Sequence, residues 1–235
     1  MVLTAYISFC YRNYMRQHRY LRDLVAIVVF SIFFGGFLGA PTREAHIWLV
    51  FCVFALLLNL LTAPSVFFLE QGNTLAFLLG KPGGRMHLFR AKVALTVLID
   101  LFWVTLFAAV YGFRFLDPDY FLGMPLRLLI VTVILLLSTL LLSLAYTVRP
   151  QLGWLIFLLL VAGNIINKAP LLEMESALDI FGALVLFLPP FLELDFLTVD
   201  FGLTGWQWVL VGLAPLQIAG LYALSAWRMA RRDFV

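Results

Sequence analysis

Any chemistry in this chain has to come from few side chains, because 63% of its 235 residues are hydrophobic and only 12% are charged. His18, His46 and His87 are scattered, and none belongs to an H-E-x-x-H run that would set two imidazoles and an acid on one helix face for zinc proteolysis. The acids Glu173, Glu175, Asp179, Glu193, Asp195 and Asp200 are irregularly spaced and lack paired histidines, which fits charge asymmetry better than a metal centre. A phosphate-cradling loop of the form G-x-x-x-x-G-K-[ST] is missing, since Gly80-Lys81 runs into Pro82 and no glycine stands five positions before Gly80. Asp100 is the one acid well inside an apolar run. Such an acid costs about 2.5–3.5 kcal/mol on insertion scales and faces protein or water, as a proton or substrate site or as a bond to a neighbouring helix.

Mean hydropathy is +1.02, and soluble domains carry roughly twice this share of charge. Several uncharged runs reach the roughly 17–25 residues that cross about 30 Å of hydrocarbon as a helix. Alternating short strands, the mark of a membrane barrel, do not occur. The expected class is an all-α polytopic membrane protein, one domain over 1–235. The formal charge of +3 is then a matter of distribution across the bilayer rather than a nucleic-acid footprint. Cys10 lies in a basic segment and Cys52 in an apolar run, on opposite sides of the first span, which argues against a disulfide.

Residues 3–22 repeat Leu3, Ile7, Cys10 and Tyr14 at helical spacing, with Arg12, Arg16 and Arg19 on another face. The pattern predicts an interfacial amphipathic helix, arginines toward anionic lipid or a partner. Spans are expected at about 24–40, 45–69, 93–116, 126–148, 152–167 and 205–227. The first is long for a signal-peptide core, and Pro41 follows the only candidate cleavage point, so it reads as uncleaved. Gly35 and Gly39 either allow close approach of another helix there or are simply lipid-facing glycines, and Pro64 is expected to kink the second span. The segment 168–204 is ambiguous because Pro189-Pro190 breaks its apolar part. Six spans with both termini inside gather Arg12, Arg16, Arg19, Arg22, Lys81, Arg85, Arg90, Lys92, Arg149, Arg228, Arg231 and Arg232 on the cytoplasmic face. A full crossing at 177–192 would strand the last three outside, so this segment is expected to be a re-entrant outer hairpin.

The longest polar interruption, Glu70 to Lys92, falls on the cytoplasmic face in this arrangement. Asn73 or Thr74 can cap a short helix whose Leu75, Leu78 and Leu79 share one face. Gly80 and Pro82 end it, Gly83-Gly84 permit a reversal, and a basic piece from Arg85 to Lys92 feeds the next span. Exposed leucines on a cytoplasmic helix need lipid or protein to cover them.

The run Thr74-Leu75-x-x-Leu78-Leu79-x-Lys81-Pro82, with Lys92 ten residues beyond the proline, resembles the cytoplasmic loop of ABC-2-type transporter permeases. The plan is similar too: an amphipathic N-terminal helix, six spans, an outer re-entrant hairpin before the last span and a basic C-terminus. The motif covers about twenty residues and the plan the whole chain. One position departs: the acid usual after the leucine is Ala76, and Glu70 is the nearest acid.

The resemblance implies a coupling helix in which Glu70, Thr74, Leu75, Leu78, Leu79, Lys81, Pro82 and Arg85 dock a separate ATPase subunit. It implies ATP and magnesium on that partner and no cofactor or metal on this chain, which is then a permease rather than an enzyme. It further implies pairing with a second permease copy or a related chain in the inner or plasma membrane. The family's pathway spans are the first, second and fifth, which makes Asn59, Asn164 and Asn167 candidate pathway residues. Drawing on ATP, such an exporter leaves Asp100 a helix–helix bond sooner than a proton site. Three alternatives stand beside this reading: a haem-exporter-type permease of cytochrome c maturation, an ion-coupled carrier or channel centred on Asp100, and a non-transporting membrane scaffold.

Overall fold

The computed structural model describes residues 2–39, 43–67, 83–116, 118–147, 152–168, 186–199, 203 and 205–231. Among these, all regular structure is helical, in eight helices: α1 (Val2–Arg16), α2 (Tyr20–Gly39), α3 (Glu44–Phe67), α4 (Gly84–Phe115), α5 (Asp119–Thr147), α6 (Gly153–Ile165), α7 (Phe191–Val199) and α8 (Trp206–Arg231). Four of them are long and apolar enough to cross a membrane: α3 from His46, α4, α5 as far as Ala145, and α8. The residues 68–82, which carry most of the coupling motif, and 169–185, which carry most of the re-entrant segment, lie outside the described residues.

Several boundaries differ from the sequence expectation, each for a local reason. The N-terminal helix stops at Arg16 rather than running to residue 22, because His18 takes a left-handed backbone (φ 52°) and the chain turns before Tyr20. Arg19 therefore sits in the turn, off the arginine face of α1. The basic piece from Arg85 to Lys92 is not separate from the third span; it is the first part of the 32-residue α4. That helix begins directly after Gly83, whose φ of 68° suits a residue without a Cβ. Helix α5 starts at Asp119, seven residues before the expected span, and carries Pro125 inside it. Helix α6 has 13 residues, about 20 Å of rise, or two thirds of a 30 Å hydrocarbon core.

The centre of the molecule is α3 packed between α4 and α5, with α8, α2 and α7 around them. Its side chains are apolar on most faces, which is why the helix shows little amphipathic bias and ends up buried rather than exposed. Trp48, Phe51, Phe54 and Leu58 are fully buried. Phe30 of α2 stacks on Phe34 and meets Phe54 at 4.3 Å between centroids, whereas Phe33 on the same helix is exposed. Helix α1 makes a second, smaller core with the first part of α4: Tyr6, Cys10 and Tyr14 pack on Leu88, Ala91 and Leu95. Leu3, expected in the apolar stripe, is exposed, and Tyr6 takes the inner position instead. The two cysteines are buried in different cores and do not pair with each other.

At the far end of α4, Gly112 lets the next helix fold back closely. A Cβ there would lie 2.6 Å from the Tyr120 ring, and that ring is fixed by stacking on Trp48 and by its hydroxyl donating to Ala108 O at 3.2 Å. Gly35, by contrast, has nothing within 4 Å of an added Cβ. Gly112→Ala is therefore expected to destabilise the protein by about 1–3 kcal/mol through overpacking, while Gly35→Ala leaves the detergent thermal midpoint unchanged. Thermal unfolding of the two variants side by side checks both.

Candidate functional site

Three polar groupings interrupt the apolar interior. The first lies where α3 and the start of α4 meet. In the last described turn of α3, the Phe67 carbonyl accepts a hydrogen bond at 2.7 Å from the Lys92 ammonium of α4. Lys92 is buried there, and its bond ties the last described turn of α3 to the first part of α4. The start of α4 is held to a third helix. The Arg85 guanidinium donates to Ala230 O at 3.0 Å and Arg90 Nε to the Tyr222 hydroxyl at 2.5 Å, both on α8. Arg228 and Arg231 close α8, where cations complement its exposed carbonyls, and both lie over the Trp227 ring.

The second grouping crosses the middle of the bundle. Asn59 Nδ2 donates to Asp100 Oδ2 at 2.7 Å and to Thr139 Oγ1 at 2.8 Å, and Ser138 Oγ donates to Asn59 Oδ1 at 2.8 Å. One amide thus binds α3, α4 and α5, and all four side chains are fully buried. One turn along α3, Thr62 Oγ1 donates to Asp23 Oδ1 at 3.2 Å, and the Tyr14 hydroxyl donates to Asp23 Oδ2. Burial and the adjacent Asp23 carboxylate push the Tyr14 phenol up, so it stays a donor. Arg19 reaches the same helix, donating to Ser65 O at 2.9 Å.

The third grouping is on the opposite side. Lys168 Nζ donates to Glu193 Oε2 at 2.8 Å and to Gly163 O at 3.0 Å, joining the end of α6 to α7. Both charges of the pair are buried, and so is Asp195. Asp195 sits beside Cys52 and Thr198, and the Cys52 sulfur lies 3.6 Å from Thr198 Oγ1. Burial chiefly, with the Glu193 charge adding to it, pushes the Asp195 carboxyl up to about 8 despite the Cys52 hydrogen bond and the Lys168 charge. Burial pulls the Lys168 ammonium down, and the bond to Glu193 opposes that. Gly163 makes the close approach of α6 possible, since a Cβ there would meet Pro189 O at 2.7 Å.

Of the residues singled out in the sequence, Asn59 and Asp100 come together, and Asp100 is bonded to a neighbouring helix. Asn164 is half-buried in α6, and Asn167, just past its end, is exposed; neither is hydrogen-bonded to Asn59. Arg12 and Arg16 are exposed on α1. Arg85 is described at the start of α4, while Glu70, Thr74, Leu75, Leu78, Leu79, Lys81 and Pro82 lie outside the described residues. Sequence reading missed Asp23, Ser138, Thr139 and the Lys168–Glu193 pair. The first three carry a usable signal, a hydroxyl or acid inside an apolar helix; the ion pair carries none, because its partners are 25 residues apart. No group of histidine, cysteine, aspartate and glutamate among the described residues has the geometry of a metal site. Compared with known protein families, curated proteins and solved structures, the chain matches none of them.

Asn59→Ala removes the donors to Asp100 and Thr139 and the acceptor of Ser138, and should cost about 1–3 kcal/mol in detergent unfolding, while Asn167→Ala should cost nothing measurable. For Asp195, the folded protein holds the proton more tightly than the unfolded chain does. Its contribution is complete below the unfolded carboxyl value of about 4 and is lost as pH rises through about 8. The thermal midpoint is therefore expected to fall between roughly pH 5 and 8.5, and Asp195→Asn to flatten that slope.

Proposed function

We propose that this chain is the transmembrane permease subunit of an ATP-binding cassette exporter. It forms part of a substrate pathway and is coupled through residues 70–82 to a separate ATPase that carries ATP and magnesium. In this reading α2, α3, α4, α5, the segment containing α6, and α8 are the six spans. Residues 168–204, including α7, form an outer hairpin before the last span. Both termini are cytoplasmic, the membrane is the inner or plasma membrane, and a second permease copy or related chain completes the pathway.

The observation that carries the reading is the Lys92–Phe67 bond at the base of the loop. A lever transmits force only if its root is stiff. Here the root joins α3 to α4, and Arg85 and Arg90 extend it to α8. Displacement of the loop by a closing ATPase would then move these helices as one body, the kind of rigid shift that bistable helix packing converts into an opening. Helix α1, packed along the first part of α4, stiffens the same root from the other side.

The test is co-purification with the P-loop ATPase encoded in a neighbouring reading frame. Leu78→Asp and Leu79→Asp should leave membrane insertion intact and lower recovery of the ATPase by at least about tenfold, because a charge in the leucine face must be desolvated on docking. Lys92→Met should retain the ATPase but lose ATP-dependent transport. Full ATPase recovery and stimulation with both aspartate variants would refute the coupling assignment. Transport that persists without ATP and fails in Asp100→Asn would establish the ion-coupled alternative instead.

A further inference from the structure

Beside the second core lies a cleft of about 690 Å³ between α1, the start of α2 and the middle of α4. Its walls are almost wholly carbon, including Tyr11 and Met15 of α1 and Leu98, Phe102 and Trp103 of α4. Most of these side chains are exposed in the chain as it stands: Leu98 is 53% and Phe102 61% accessible. The one acid at its edge, Asp23, is buried and bonded by Tyr14 and Thr62, so it turns no accessible carboxylate toward the cleft.

Two further features specify an occupant. The first is depth. The α4 wall runs from Leu95 to Trp103, about 12 Å along the helix axis, close to the roughly 15 Å of hydrocarbon in one leaflet. The second is charge. Around α1 the buried stripe of Tyr6, Cys10 and Tyr14 is followed by the cleft-lining stripe and then by Arg12 and Arg16, which are one turn apart and exposed. Neither arginine makes a hydrogen bond or ion pair with another described residue. Arg22, at the start of α2, is directed to α3 instead, donating to Ser65 Oγ at 3.4 Å.

We propose that this cleft is a binding site for one anionic phospholipid of the cytoplasmic leaflet, with its acyl chain against Leu98, Phe102 and Trp103 and its phosphate at Arg12 and Arg16. The site rests on the membrane placement of α4 and α1 and not on the transport reading. A hydrocarbon chain covers the exposed α4 wall without a polar group to satisfy. Guanidinium forks, otherwise uncommitted, match phosphate oxygens in pairs. Juxtamembrane arginines add attraction for anionic headgroups over zwitterionic ones.

The full chain would be reconstituted in nanodiscs of phosphatidylcholine containing a minor fraction of phosphatidylglycerol, with brominated acyl chains on one lipid at a time. The Trp103 signal is the fluorescence difference between the wild type and Trp103→Phe. At equal mole fraction, brominated phosphatidylglycerol should be preferred about tenfold in quenching that signal, and Arg12→Gln with Arg16→Gln should abolish the preference. Native mass spectrometry supplies an independent readout that does not need Trp103→Phe to fold: phosphatidylglycerol should remain on the wild type and be lost from the double arginine variant. Equal quenching by both lipids, with equal retention in the arginine variant, would mean ordinary annular lipid and overturn the site. Quenching by neither would mean that a second copy or a partner helix covers the cleft, and would also overturn it. Failure to enter nanodiscs would overturn the membrane placement together with the site.

Discussion

Asn59 is the point on which the bundle depends. In an apolar interior a polar side chain must find partners within the protein, and a primary amide offers donors and an acceptor in fixed directions. Here those directions are taken by Asp100 on α4 and by Ser138 and Thr139 on α5. Dispersion between leucines tolerates sliding of one helix past another; three short hydrogen bonds from one side chain do not. The register of α3, α4 and α5 is therefore set near their middle, and the apolar contacts around it, such as Phe54 with Phe30 and Phe107, pack to that register.

The two ends of the bundle are tied by different means. At one end Lys92, Arg85 and Arg90 donate to two carbonyls and a tyrosine hydroxyl, bonds that bring α3, α4 and α8 together. At the other, Lys168 and Glu193 bury a full ion pair between α6 and α7. A buried pair gains little net stability after desolvation, but loss of one partner strands the other. Its consequence is positional. Between them, Lys168 and the Gly163–Pro189 contact hold α7 against the end of α6, and Gln217 donates to Leu186 O and Leu188 O to hold the preceding residues against α8.

Much of the fold was legible in the residues. Long apolar runs announced α3, α4, α5 and α8, because the length needed to satisfy backbone groups across hydrocarbon is read directly from hydropathy. The ends of the elements were less legible. Nothing in the spacing of Arg12, Arg16 and Arg19 announces the turn at His18, and the continuity of Arg85 to Lys92 with the third span depends on where Gly83 places the first turn of α4. Asp100 and Asn59 were both conspicuous as polar residues in apolar runs, yet nothing local pairs positions 41 residues apart.

What the sequence determined by itself is therefore what depends on one segment at a time: helical class, apolar length, the polarity of each flank and the amphipathic face of a short helix. These follow from composition and period. The tertiary structure alone decided which polar groups meet. It made Lys92 a buried bond between α4 and α3, joined Glu193 to Lys168 in a buried pair, and moved Arg19 from a face of α1 into a contact on α3. The reason is that the cost of burying a charge or an amide is settled by its partner, and partners are supplied by packing between segments, on which hydropathy and spacing are silent.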